Sequence, residues 1–88
     1  MTVRDLIKNR DFDYISWRIM LPERYKDEPE YEEGVFIGQC RSKDGKLISL
    51  DGDTIYDEDD VVLKYEEWSN PDKDICNGLT VIVEAEWM

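Results

Sequence analysis

Ten consecutive residues, Asp51-Gly52-Asp53-Thr54-Ile55-Tyr56-Asp57-Glu58-Asp59-Asp60, hold six carboxylates, and no lysine or arginine interrupts the stretch from Ile48 to Leu63. Carboxylates at this density could hold a hard cation, act as a general acid and base, or meet the cationic side chains of another macromolecule. The first option fails on spacing. Counted from Asp51, a calcium-binding EF-hand loop requires glycine sixth and glutamate twelfth, where this chain has Tyr56 and Val62. No metal site is expected, and a weak divalent-ion buffer is the third-ranked reading. An acid–base pair of the glycosidase kind needs a cleft that raises one carboxyl pKa, and a chain of 88 residues has little interior to supply it. No catalytic residue is expected, and the protein is read as not an enzyme.

What the composition lacks narrows the chemistry further. Without histidine, no imidazole can activate a serine or cysteine, and Cys40 and Cys76 alone cannot complete a tetrahedral zinc site. Neither a GxGxxG loop nor a Gly-Lys-Ser/Thr phosphate loop occurs, so no cofactor is expected. No signal-like or membrane-length apolar run is present. The reading is a soluble cytoplasmic protein with two free thiols that pack rather than react.

The third option remains. Residues 1–50 hold ten acids and nine bases, whereas residues 51–88 hold twelve acids and two bases, so nearly all of the net charge of −11 lies in the second half. Such a field attracts cationic surfaces and repels nucleic acid. On a strand, Glu84 and Glu86 share one side about 6.6 Å apart, close to two base steps at about 3.4 Å each, so a carboxylate ladder can imitate a phosphate backbone. Interleaved Tyr56, Tyr65, Trp68 and Trp87 could anchor such a mimic. The expected contact set is Asp51, Asp53, Asp57, Glu58, Asp59, Asp60, Glu66, Glu67 and Trp68, extended by Glu84 and Glu86. The expected partner is a basic nucleic-acid-binding protein, with no direct contact to nucleic acid or membrane. The competing reading is a small sheet-type interaction module that docks by a strand edge or by the Pro22 to Glu33 loop, its acidity serving only solubility.

These residues need a scaffold of short elements. Thr2 with Asp5 resembles a capping box and starts a short helix from about Val3 to Asn9. Alternation from Phe12 to Leu21 predicts a strand with Ile15, Trp17 and Ile19 on one side. Pro22 to Glu33 reads as a mobile, solvated loop. Gly34 to Arg41 and Lys46 to Leu50 flank an Asp44-Gly45 turn and predict a hairpin, and Thr54 to Tyr56 suggests a brief further strand. Val61 to Trp68 places Val61, Leu63 and Tyr65 on one side and Val62, Lys64, Glu66 and Trp68 on the other. Trp68 suits core or interface equally on this pattern. After turn signals from Ser69 to Gly78, a last strand directs Leu79, Val81, Val83, Ala85 and Trp87 inward and Thr80, Ile82, Glu84 and Glu86 outward. The expected fold is a single α+β domain over residues 1–88: a mostly antiparallel sheet of five or six short strands with one short N-terminal helix, a partly closed barrel being second choice.

The TVRDLIK opener at residues 2–8, the DGDTIY and YEEWSN segments at 51–56 and 65–70, and the GLTVIVEAEW ending at 78–87 complete the picture. With its length and charge, the chain resembles small acidic proteins of phages and mobile elements in Gram-positive bacteria, in particular anti-CRISPR inhibitors of Cas nucleases. The resemblance is one of format and assigns no individual binding residue. It implies a bacterial host cytoplasm and a binding site on a Cas nuclease where the PAM duplex or guide would lie. The dense acids fall in the second half, so the contact surface is expected there.

Overall fold

The computed structural model describes residues 1–29, 31–52 and 54–84. Helix α1 (Val3–Ile7) is followed by strands β1 (Phe12–Ile19), β2 (Val35–Lys43), β3 (Lys46–Ser49), β4 (Val62–Asn70) and β5 (Ile75–Val83). They form one five-stranded sheet in the order β3-β2-β1-β5-β4.

The sheet is mixed, which corrects the expectation of a mostly antiparallel one. β1 pairs antiparallel with β2, β2 with β3, and β4 with β5, but β5 lies parallel to β1 in the centre. The cause lies in the connection. After the β2–β3 hairpin the connection passes on the helix side, where Tyr56 meets Trp17 and the Glu58 and Asp60 carbonyls meet α1, before β4 forms the far edge, and the tight β4–β5 reversal then lays β5 alongside β1. β3 and β4 are the edges, so the sheet stays open and the barrel alternative does not hold.

One face carries the core. Ile15 and Trp17 of β1, Leu79, Val81 and Val83 of β5 and Cys40 of β2 pack with Val3 and Ile7 of α1. Each such fully buried aliphatic side chain contributes about 1.5–3 kcal/mol. Helix α1 begins as the capping box requires: the Asp5 carboxylate turns back to accept the Thr2 backbone N–H at 2.8 Å, which holds it below the usual carboxylate range. It ends at Ile7, two residues earlier than expected. At the hairpin, Asp44 and Gly45 both have positive φ, 54° and 78°, the two-residue turn that suits strand twist.

Three further expectations are corrected. Thr54 to Tyr56 forms no strand, and Tyr56 is buried against Trp17 with ring centroids 5.1 Å apart, so it is a core anchor and not an exposed aromatic. β5 begins at Ile75, because a single 3-10 turn at Pro71–Lys73, closed by Asp74 at φ 58°, replaces the longer loop. A register shift between Val62 and Lys64 breaks the alternation in β4: Val62 is buried opposite Val83, while Tyr65 and Glu67 pair with the core-facing Val81 and Leu79. The β1–β2 connection holds a 3-10 turn at Glu23–Tyr25, and the Arg18 guanidinium ties it down by donating to the carbonyls of Glu33 and Gly34. Among the described residues no helix is long and apolar enough to cross a membrane.

Candidate acidic interface

The connection 50–61 carries most of the expected contact residues, and its own chemistry decides which of them are free. Asp51 is committed inward. Its carboxylate accepts from Ser49 Oγ at 2.7 Å, from the Tyr56 hydroxyl at 2.7 Å and from the Gln39 backbone N–H at 3.2 Å. The Ser49 and Tyr56 bonds hold its pKa below the usual range, while burial, helped by Asp51, raises that of Tyr56. Gly38 makes this possible, since a Cβ there would collide with the Tyr56 hydroxyl and the Asp51 carboxylate.

Asp57 to Asp60 form a turn against α1. Asp60 N–H donates to the Asp57 carbonyl, and Asp57 Oδ1 accepts from Asp59 N–H at 2.9 Å. The carbonyls of Glu58 and Asp60 receive the N–H groups of Arg4 and Val3, two of the unpaired donors at the start of α1. The Glu58 carboxylate accepts the Leu47 N–H at 3.3 Å, and Asp59 pairs with Arg4 Nε at 2.9 Å, which lowers the Asp59 pKa. Asp60 differs. Burial, followed by repulsion from Asp57 and Asp59, raises its pKa, and its carboxylate accepts no hydrogen bond among the described residues.

Glu84 joins this group from another element. It follows β5, its backbone N–H donates to the Val61 carbonyl at 2.9 Å, and its side chain is exposed and unpaired among the described residues. Asp59, Asp60 and Glu84 rim a depression of about 520 Å3, beside Ile37, Ile55 and Val61. Ile55 is 93% exposed, an unusual position for an isoleucine within a carboxylate run. Sequence reasoning missed this apolar rim, taking Ile55 as a strand residue. The available signal was a lone aliphatic side chain inside an acidic segment.

The remaining expected residues lie elsewhere. Glu67 sits on the core side of β4 and pairs with Arg10. Glu66 and Trp68 lie on the opposite, uncovered face of the sheet. The Trp68 indole rests face-on over Gly78, donates Nε1–H to Thr80 Oγ1 at 3.0 Å and meets Tyr14 edge-on at 5.6 Å, so it is half-buried and belongs to neither the core nor the acidic rim. Asp53, Glu86 and Trp87 lie outside the described residues. The structure thus gathers Asp57, Glu58, Asp59, Asp60 and Glu84 in one region and separates them from Glu66, Glu67 and Trp68.

Cys40 is buried and its thiol is pushed up to about 12 by burial, whereas Cys76 is exposed, which corrects the expectation that both thiols pack. Both are free. Among the described residues no group of three or more carboxylate or thiol side chains is arranged to hold a metal ion. No family model, curated protein or solved structure matches the chain.

Proposed function

We propose that the protein is a non-enzymatic acidic binder that occupies the nucleic-acid-binding surface of a basic protein, using Asp60 and Glu84 as substitutes for phosphates. The observation that carries this reading is the convergence of Asp60 and Glu84, from two elements, on one depression with no hydrogen bond to either carboxylate among the described residues. Both remain available to an incoming lysine or arginine, which binds carboxylate and phosphate with the same donors. The adjacent Ile37, Ile55 and Val61 suit the aliphatic stem of such a side chain. Burial and the like charges of Asp57 and Asp59 oppose ionisation of Asp60, and solubility alone does not require an acid at such a position.

Guide-loaded CRISPR nucleases are the first partners to assay. The protein is expected to displace a labelled PAM-bearing duplex from its partner, and added salt or the double substitution Asp60→Lys/Glu84→Lys should remove the effect. Displacement by the double variant as strong as by the parent would count against the reading.

A second reading is favoured by the free edge of β4, a nine-residue strand on which Leu63 and Tyr65 are each nearly half exposed. A partner strand adding there would use main-chain hydrogen bonds, and salt would change its affinity little.

A further inference from the structure

Apart from residues 32–34, which lie over Arg18 and Ile82, the face of the sheet opposite α1 has no covering layer among the described residues, and its charge opposes that of the molecule as a whole. Strand register places Arg18, Arg41, Lys43, Lys46 and Lys64 on this face with a single strand acid, Glu66. Five of the chain's 11 basic residues therefore share one surface of a protein whose net charge is −11. None of the five forms an ion pair with a carboxylate among the described residues, although the chain has 22 acids to offer. Lys43 lies directly opposite Lys46 across β2 and β3, a like-charge pairing that costs stability in a sheet. Glu32 and Glu33 approach only at the far rim, where they share a depression with Arg18, Lys64 and Glu66.

Aromatic rings stand among these cations. Phe36 is 48% exposed with the Arg18 guanidinium 6.0 Å from its ring centre. Tyr14 and Trp68 form their edge-on pair on the same face, and Gln39 accepts the Tyr14 hydroxyl. Cations that neutralise phosphates, interleaved with flat apolar rings on an open sheet, match the chemistry of an extended nucleic acid strand. An acidic protein segment would use the cations and leave the rings idle.

We propose that this uncovered sheet face binds single-stranded nucleic acid, with Arg41, Lys43 and Lys46 holding phosphates and Phe36 and the Tyr14–Trp68 pair stacking bases. The acidic rim does not forbid it. Asp60 and Glu84 of that rim adjoin β4 and β5, whereas Arg41, Lys43 and Lys46 lie on β2 and β3 beyond β1 and face the other way, and charges are screened over about 8 Å at physiological ionic strength. A protein binding a nucleoprotein through the acidic rim could hold an exposed strand of the same assembly with this face.

The test is fluorescence anisotropy of a labelled single-stranded oligonucleotide of about 12 nucleotides, titrated with the whole protein. Saturable binding is expected, stronger than for the matching duplex, with log affinity falling against log salt at a slope near −2 for three phosphate contacts. Arg41→Gln/Lys43→Gln and, separately, Phe36→Ala should each weaken binding about tenfold while leaving the melting temperature within about 2 °C of the parent. Absence of binding up to about 0.1 mM protein would overturn the proposal. Unchanged affinity in both variants would do the same. Labelled poly-glutamate of matched charge, bound as tightly as the oligonucleotide and equally well by Phe36→Ala, would assign the face to an acidic protein and overturn the nucleic-acid reading.

Discussion

Gly78→Ala tests how the uncovered face is built, because the sign of its effect depends on one neighbouring ring. A Cβ at Gly78 would stand 2.5, 2.6 and 2.7 Å from Trp68 Cδ2, Cε3 and Cε2. Carbon atoms settle at about 3.5–4.0 Å, so the whole indole must retreat by about 1 Å. That movement pulls Nε1 from Thr80 Oγ1 and loosens the contact with Tyr14. Overpacking of this kind costs about 1–3 kcal/mol, and the aromatic pair stands to lose a further ~0.5–1.5 kcal/mol. Against this, replacing glycine by alanine within a strand recovers about 0.5–1 kcal/mol of conformational entropy. The balance is a loss of about 2 kcal/mol, or a fall of about 1–2 M in the urea midpoint at the slope expected for a small domain. In a Trp68→Ala background the steric term vanishes and only the entropic gain remains. There Gly78→Ala should be neutral or stabilising. Equilibrium urea unfolding of the parent, both single variants and the double variant completes the cycle, and equal destabilisation by Gly78→Ala in both backgrounds would refute the reasoning.

Asp60→Asn removes a charge that burial and Asp57 and Asp59 disfavour, so it should raise the melting temperature while weakening capture of a cationic partner about tenfold; a lowered melting temperature would show that the charge stabilises the fold. Asp5, Asp51 and Asp59 have folded pKa values below their unfolded ones, so the stability they confer is complete above the ordinary Asp value of about 3.9 and is lost as pH falls through the lowered folded values. Protonation of Asp60, whose folded value is raised, acts in the opposite direction just above that window. Thermal melts should therefore hold or rise from neutral pH to about 4.5 and collapse only below about 4, and a decline beginning above about 5.5 would contradict this. Thiol titration should label Cys76 alone in the folded protein and Cys40 only after unfolding, as read by mass spectrometry; rapid labelling of both would show that the core opens.

Local patterns carried much of the fold. The period-two apolar series of β1 and of the end of β5, the Asp44-Gly45 turn and the Thr2–Asp5 cap each state their structure within a few residues, because strand sidedness and turn geometry are local. The parallel pairing of β1 with β5 was not legible. It depends on where the chain crosses between β3 and β4, which is set by Tyr56 docking on Trp17 and by α1 donors meeting the Glu58 and Asp60 carbonyls, contacts between distant parts of the chain. Side-chain commitments were hidden for the same reason. The sequence identifies Asp51, Glu58, Asp59 and Glu67 as acids, but only the folded chain shows three of them turned to backbone or arginine partners and Asp51 to Tyr56, leaving Asp60 and Glu84 free of hydrogen bonds among the described residues. A one-residue register shift in β4 was enough to separate Glu66 and Trp68 from the rim.

The central claim is that position, and not total charge, makes the acidic surface a binding site. Its most direct test compares two charge-matched variants, Asp60→Lys/Glu84→Lys at the rim and Glu23→Lys/Asp72→Lys in exposed turns, for affinity to a labelled arginine-rich peptide at low and physiological salt. The rim pair should weaken binding by about tenfold or more and the turn pair by less than about threefold. Equal losses would mean that the peptide responds to net charge alone, and the rim would then be only solvated surface.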